Sequence, residues 1–500
     1  MMIARKILLA AALAAAIPAA FAADGPVASI AQGRLLGRME DGVQAYLGIP
    51  YARVAENFKR AAGAPSWDGV RDATAYGKIS YQSGIFGQKP KKAAGNESAD
   101  PLNLNIWTPS ADSGKRPVMV WLHGGGFSVG SANEKDYDGA RLASDENVVV
   151  VGVNHRLGVY GHLDLSAYGG EYRESANVGM LDIVDALKWV RDNISKFGGD
   201  PRNVTLFGQS GGGAKVIAMM SSHEADGLFK RGIIESGATD EMGRHFTKKS
   251  ISQAVAAAIL KRLGIQPGEL SKLNSVSEEA LVNAAFEGQR DAAVEHKIPI
   301  SIGKGYASEW EPVVDGVFLM QDPVGAGGFV KGAERYGMLI GSNLTEWNTI
   351  MPRELAHKDS RRLRSLYEKA FPDQDPRGAV DFDALLRLPI REITAARADL
   401  GGEAVYSYVF TRSQGRSGVP HSAEIPYVFG HKDDDAWMSR AIEDLWGSFA
   451  RTGVPSANGI PQWEPYTRKS GAVMILDHHS YVAHHHDEAL LRYLAPGRTF

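Results

Sequence analysis

Asn203-Val-Thr-Leu-Phe-Gly-Gln-Ser210-Gly-Gly-Gly-Ala-Lys-Val-Ile-Ala-Met-Met220 joins an apolar β-branched run to a second apolar run through a serine flanked by glycines. Where a strand turns sharply into a helix the two backbones crowd, so residues without side chains are needed beside the apex, and the apex residue is lifted clear of the sheet. The spacing therefore predicts a strand over 203–207, an exposed Ser210 hydroxyl, and a helix over about 214–220 whose N-terminal end favours negative charge. A serine in that position is a candidate nucleophile.

The motif alone is weak. Gly208-Gln-Ser-Gly-Gly212 is one of two Gly-x-Ser-x-Gly matches, the other being Gly126-Phe-Ser128-Val-Gly130. With 56 glycines in 500 residues, chance supplies roughly 0.4 such matches. Context separates them. Ser210 has a strand before it and a helix after it, whereas Ser131 to Asp138 is polar and has no apolar period, which assigns Ser128 to a loop. The glycines of the second match have another use. His123-Gly124-Gly125-Gly126-Phe127 directly follows the apolar run Val118 to Leu122, where bare backbone amides can meet a developing oxyanion. Gly125 and Gly126, with the N–H of Gly211, are the candidate donors. A phosphate cradle is the rival, but neither a Gly-Lys-Ser/Thr ending nor a G-x-G-x-x-G spacing opening a helix is present.

Outward from this stretch, short β-branched runs alternate with helical patterns. Strands are expected at 118–122, 148–153, 204–207, 233–234, 338–340 and 405–410, and Leu181, Val184, Leu187, Val190 and Ile194 recur at helical spacing. This pattern predicts an α/β fold with a largely parallel central sheet flanked by helices. Residues 240–330 and 350–400 are charged and poor in strand signals, so they read as helical insertions forming a lid or gorge wall.

Composition narrows the function classes. The chain is 44% apolar and can bury a sizeable core, which excludes a disordered or fibrous protein. Lys plus Arg number 55 against 58 Asp plus Glu, a net charge of −3 without single-sign runs, so no phosphate-tracking surface for nucleic acid is expected. Cysteine is absent, which removes disulfides, thiolate nucleophiles and cysteine-ligated metals. Arg5 and Lys6, the apolar stretch Ile7 to Ile17 and Ala20-Phe-Ala22 have the layout of a secretory signal cleaved near Ala22, leaving 23–500 as one catalytic domain in the periplasm or outside the cell. The stretch before Pro18 is too short to span a bilayer, which takes about 20 apolar residues. In that compartment Asn203-Val-Thr205 is an idle glycosylation match.

Taken together, several longer stretches resemble the type B carboxylesterases, an α/β-hydrolase group that includes cholinesterases and p-nitrobenzyl esterases. They are Leu47-Gly-Ile-Pro-Tyr-Ala52, Leu104-Asn-Ile-Trp107, Asn154-His-Arg-Leu-Gly158, Asn177-Val-Gly-Met-Leu-Asp182 and Phe197 to Gly212. The resemblance implies an acid at Glu346, in Gly341-Ser-Asn-Leu-Thr-Glu346, and a base at His421, in Gly418-Val-Pro-His-Ser-Ala-Glu424-Ile-Pro-Tyr-Val-Phe429. The order Ser210, Glu346, His421 is the one an α/β-hydrolase uses. Ser236, in Glu235-Ser-Gly237, resembles a family serine supporting this relay. The implied reaction is hydrolysis of a small-molecule carboxylic ester through an acyl-serine, with no metal or organic cofactor. Amide or lactone hydrolysis on the same groups, and a non-catalytic binding module of the same fold, are the alternatives. Oligomeric state is not readable.

Three departures from the family pattern bear on the site. Gln209 stands where the family usually has Glu, removing a negative charge beside the nucleophile, and Trp347 replaces the glycine that commonly follows the acid. Ala99-Asp-Pro101-Leu102 replaces Glu-Asp-Cys-Leu, and Lys91 occupies the place of the cholinesterases' quaternary-ammonium-binding tryptophan, so no choline cage is expected from that loop. Phe127, Trp310, Trp347 and Tyr306 are candidate pocket walls. Lys89, Lys91 and Lys92 would either draw anionic esters or belong to a solvated loop. The tract His478, His479, His484, His485 and His486 lacks a metal-site spacing and reads as a solvated C-terminal segment.

Overall fold

Val118, Val120 and Leu122 project to one side of their strand and Met119 and Trp121 to the other, and all five are fully buried. A strand covered on both faces reads as an unbroken apolar run, which is why 118–122 carries no alternation. The computed structural model describes residues 25–85, 88, 96–299, 306–347, 357–413, 418–498 and 500. The signal-like segment 1–22 and Lys89, Lys91 and Lys92 lie outside them.

Eleven strands form the main sheet: β1 (Arg38–Glu40), β2 (Val43–Pro50), β3 (Asn103–Thr108), β4 (Arg116–Leu122), β5 (Val149–Val153), β6 (Gly199–Gln209), β7 (Arg231–Glu235), β8 (Gly337–Asn343), β9 (Val405–Phe410), β10 (Ala472–Leu476) and β11 (Tyr481–His484). Their spatial order is β1-β2-β3-β5-β4-β6-β7-β8-β9-β10-β11. Pairings from β5 through β10 are parallel, and both edges are antiparallel. All six expected strands occur. The antiparallel strands β1, β2 and β3 at one end of the sheet and β10 and β11 at the other were not foreseen.

Helices α1 (Val178–Asn193) and α2 (Gly211–Ser221) pack with Val118, Val120 and Leu122, while Trp446 and Phe449 of α6 (Ala436–Thr452) pack with Met119 and Trp121. The sheet is thus the middle of three layers. The stretch 240–330 contains α3 (Lys249–Leu263) and α4 (Glu278–Glu295), as its helical bias suggested. The stretch 350–400 departs in part from the expected insertion. Its helix α5 (Ala384–Asp399) lies in the connection between the parallel strands β8 and β9 and packs on both of them.

Strand order reverses at β4, which is followed in the chain by β5 on one side and β6 on the other. Clefts at such a reversal open at the carboxyl ends of the strands. Register brings those ends level: Leu122 pairs with Gly208, Gln209 with Glu235, and Glu235 with Gly341. His123, Ser210 and Ser236, each following one of these ends, meet at one edge of the sheet.

Candidate active site

At the end of β6, Ser210 takes φ 57 and ψ −126 before α2 begins. A non-glycine residue pays about 1–3 kcal/mol for such a conformation, which persists only where surrounding contacts over-determine it. Those contacts are present. The Ser210 N–H donates to Glu235 O at 2.8 Å. A Cβ on Gly212 would stand 1.9 Å from Leu122 O, and one on Gly208 would stand 2.6 Å from the same oxygen. Only bare backbone lets α2 start this close to β4. Ser236, Glu346 and Ser422 also have positive φ, at 50, 27 and 69, so strain gathers where four segments converge.

Glu346 is fully buried and receives three donors. His421 Nδ1 lies 2.6 Å from Oε2, while the Ser236 hydroxyl at 2.6 Å and the Asn343 N–H at 2.7 Å donate to Oε1. The His421 N–H also donates to Glu346 O at 2.6 Å, so two segments 75 positions apart are tied through backbone and side chain alike. A carboxylate facing Nδ1 puts the proton on Nδ1 and the lone pair on Nε2. Trp347 stacks on the imidazole with ring centres 4.0 Å apart at 25°. Burial would push His421 down, but the hydrogen bond and charge of Glu346 outweigh it, and Glu424 and Asp383 add to them, so the ring titrates above 6.5.

The Gln209 amide nitrogen lies 3.2 Å from Nε2 and 3.5 Å from Nδ1, over the face of the ring and off the in-plane Nε2 lone pair, and among the described residues the Ser210 hydroxyl makes no hydrogen bond. The expected contact between Ser210 and His421 is therefore not formed in this geometry. Such contacts are often loose without substrate and tighten when it binds.

Gly125 and Gly126 have φ 84 and 62, and Gly125 O accepts from the N–H groups of Ser128 at 3.3 Å and Val129 at 3.1 Å. A Cβ on Gly125 would stand 2.4 Å from Val129 O. This turn uses the Ser128 backbone, and no helix follows that serine as α2 follows Ser210. A Cβ on Gly211 would lie 2.3 Å from Gly126 O, so elbow and loop are in contact. The N–H groups of Gly125, Gly126 and Gly211 have no acceptor among the described residues.

Ser210 opens into a cavity of about 600 Å³ lined by Gly126, Phe127, Trp310, Trp347 and Phe246, with carboxylates at the end formed by 240–251 and 309–322. Phe127, Trp310 and Trp347 are thus wall residues, whereas Tyr306 is 48% exposed and does not line it. Four histidines of the tract, His478, His479, His484 and His485, are exposed as expected of a solvated segment, and His486 departs. His484 ends the edge strand β11, and the His486 ring packs edge-on to Phe371 at 5.2 Å with its side chain 6% exposed. Among the described residues no group of three or more His, Cys, Asp or Glu is placed to hold a metal ion.

Four buried groups went unnoticed as neighbours of the site. Glu424 receives the Asn343 amide at 2.5 Å and Glu235 receives the Trp446 N–H at 2.9 Å. Burial and the charge of Glu346 raise Glu424 and Asp383 each to about 7. The fourth is Lys215, whose only sequence signal is a cation inside an apolar helix.

The Carboxylesterase family model matches residues 24–379 and 378–493. The para-nitrobenzyl esterase of Bacillus subtilis (strain 168) is 33% identical over 478 residues, covering 89% of this chain and 93% of that protein. Among solved structures, an esterase from anaerobic Clostridium hathewayi, described as able to hydrolyze aliphatic aromatic polyesters, superposes with a TM-score of 0.80 at 32% identity, covering 94% of this chain and 97% of its own. A PNB esterase superposes with a TM-score of 0.76 at 31% identity over 93% of this chain and 99% of its own. The sheet and its helices are an α/β-hydrolase fold, and the activity is hydrolysis of carboxylic esters by a serine hydrolase. The chain belongs to the carboxylesterase family.

Proposed function

We propose that Ser210, His421 and Glu346 are the catalytic residues and that the amides of Gly125, Gly126 and Gly211 bind the oxyanion. The observation that carries this reading is the Glu346 carboxylate, oriented by Ser236 and Asn343 and closed onto His421 Nδ1 at 2.6 Å, beside a strained serine on the cavity wall. When an ester enters, His421 Nε2 takes the Ser210 proton as Oγ adds to the carbonyl carbon. Glu346 stabilises the imidazolium. The three amides meet the new negative charge, a contribution of about 3–4 kcal/mol per donor in comparable sites. Imidazolium then protonates the departing alkoxide. Water, deprotonated by the same nitrogen, attacks the acyl-serine, and the acid leaves as Ser210 recovers its proton.

The substrate in this reading is a small ester that fits about 600 Å³. Amide or lactone hydrolysis, and a binding role without turnover, draw no support from any particular contact. Residues 23–500 would act as one catalytic unit exported by residues 1–22. Support for export is the charge and apolar layout of that segment, and among the described residues no helix is long and apolar enough to cross a membrane. Nothing in the charge balance favours nucleic acid as a partner. The test is a stopped-flow assay with p-nitrophenyl acetate. A burst of nitrophenol equal to the enzyme concentration is expected, and a linear trace together with failure of hydroxylamine to trap an acyl group would remove the acyl-serine.

A further inference from the structure

Lys215 stands in α2 five positions after Ser210, and the relay above does not use it. Its side chain is fully buried. The ammonium donates to the carbonyl oxygens of His123 at 2.9 Å and Gly126 at 2.8 Å, and lies 5.0 Å from the centre of the Phe127 ring. Those carbonyls are its hydrogen-bond partners among the described residues, and none of the ion pairs among them involves Lys215. Taking an ammonium out of water without an anion is among the costliest burials available to a chain. An apolar residue would fill the helix position without that cost.

The two carbonyls bracket Gly124, Gly125 and Gly126. Across a trans peptide the C=O and the following N–H point in opposite directions. Holding His123 O and Gly126 O at a common point therefore fixes the peptide planes at both ends of the loop. Within the loop, glycines at φ 84 and 62 have wide conformational freedom, while Gly124 O is paired with His123 Nδ1 at 2.8 Å and Gly125 O takes the amides of Ser128 and Val129. Around the ammonium, His123, His155 and His162 are buried and kept neutral, His123 and His162 near 3. The Lys215 charge acts on all three, with Arg156 also acting on His162, and burial lowers Lys215 to about 7.

We propose that Lys215 is a positioning residue for ester hydrolysis, clamping the glycine loop so that the Gly125 and Gly126 amides meet the oxyanion, with its ammonium charge strengthening the field there. The proposal rests on those glycines being the oxyanion donors. Lys215→Met keeps the length of the side chain and removes charge and donors. In a variant that melts within a few degrees of the native protein, kcat for p-nitrophenyl acetate falls about a hundredfold, the scale of one lost oxyanion donor, while KM changes little. Affinity for an aryl trifluoromethyl ketone, which forms a tetrahedral oxyanion on Ser210, falls by a similar factor. A folded variant with both values within about threefold of native overturns the proposal.

If Lys215→Met does not fold, the native enzyme decides. Above the titration of His421, adduct formation moves the serine proton to the imidazole and exchanges none with solvent, so any further loss of ketone affinity reports another group. Deprotonating Lys215 should weaken the ketone about tenfold between roughly pH 7.5 and 9.5, and an unchanged affinity over that span contradicts the clamp's electrostatic part and with it the proposal. Failure of the ketone to attach to Ser210 would instead strike the reading of the active site, so the two failures are distinguishable.

Discussion

The Gln209 amide nitrogen lies 3.2 Å from His421 Nε2, the atom that must receive the Ser210 proton, and 3.5 Å from Nδ1, over the face of the ring. A family position usually held by glutamate is here neutral, so no negative charge lies against the base from that side. Gln209→Glu places a carboxylate against the same nitrogen and favours the imidazolium. Since only neutral His421 can take a proton, the acid limb of kcat/KM should move to higher pH by about one unit. A downward shift in that limb would show that residue 209 does not face the base.

In the native enzyme the same limb should have its midpoint above 6.5, because Glu346, Glu424 and Asp383 outweigh the effect of burial on His421. The sign follows from linkage: a raised imidazole pKa means protonation, and loss of activity, at higher pH than for a free histidine. A kcat/KM profile on a neutral ester checks it. Glu346→Gln removes the charge that stabilises the imidazolium, and kcat should fall about 10³–10⁴-fold.

Gly125→Ala puts a methyl group 2.4 Å from Val129 O at φ 84. The loop must shift, taking its amides with it. Turnover should fall about 10²–10³-fold with little change in melting temperature, measured by steady-state kinetics beside circular dichroism.

Arg156 and Asp182 join two of the stretches quoted for the family resemblance. The pair is 0% exposed, with contacts of 2.7 and 2.8 Å between guanidinium and carboxylate. Asp182→Ala would strand a guanidinium that cannot lose its charge, so unfolding in urea should show a loss of about 3–5 kcal/mol.

How much of this was legible in the sequence depended on whether burial left a pattern. Val118 to Leu122 and Val149 to Val153 are apolar on both faces, so the parallel centre of the sheet was plain. Helix α5 was not, because Arg387, Arg391 and Arg397 give it the look of a solvated surface although all three are buried. Arg387 reaches Asp487 at 2.7 Å, and Arg397 donates to the carbonyls of Tyr336 and Gly401 at 2.7 and 2.8 Å. Their partners lie up to 100 positions away, beyond any local reading. His486 misleads for the same reason. At the candidate site, the serine and the glycines could be read from local backbone demands, whereas Glu346 and His421 came only through family resemblance. A lone Glu or His carries no periodic signal, and nothing local marks the Gln209 contact or the carbonyls that hold Lys215.

The central claim is that the hydroxyl at 210 is the one that forms a bond to the substrate's acyl carbon. Incubating the protein with a serine-directed fluorophosphonate and mapping the peptides by mass spectrometry tests it most directly. The account predicts one phosphonyl group, on Ser210, with turnover lost in parallel; Ser210→Ala should take no label, and Ser128→Ala should label and turn over like the native enzyme. Label on Ser128, or esterase turnover persisting in Ser210→Ala, would contradict it.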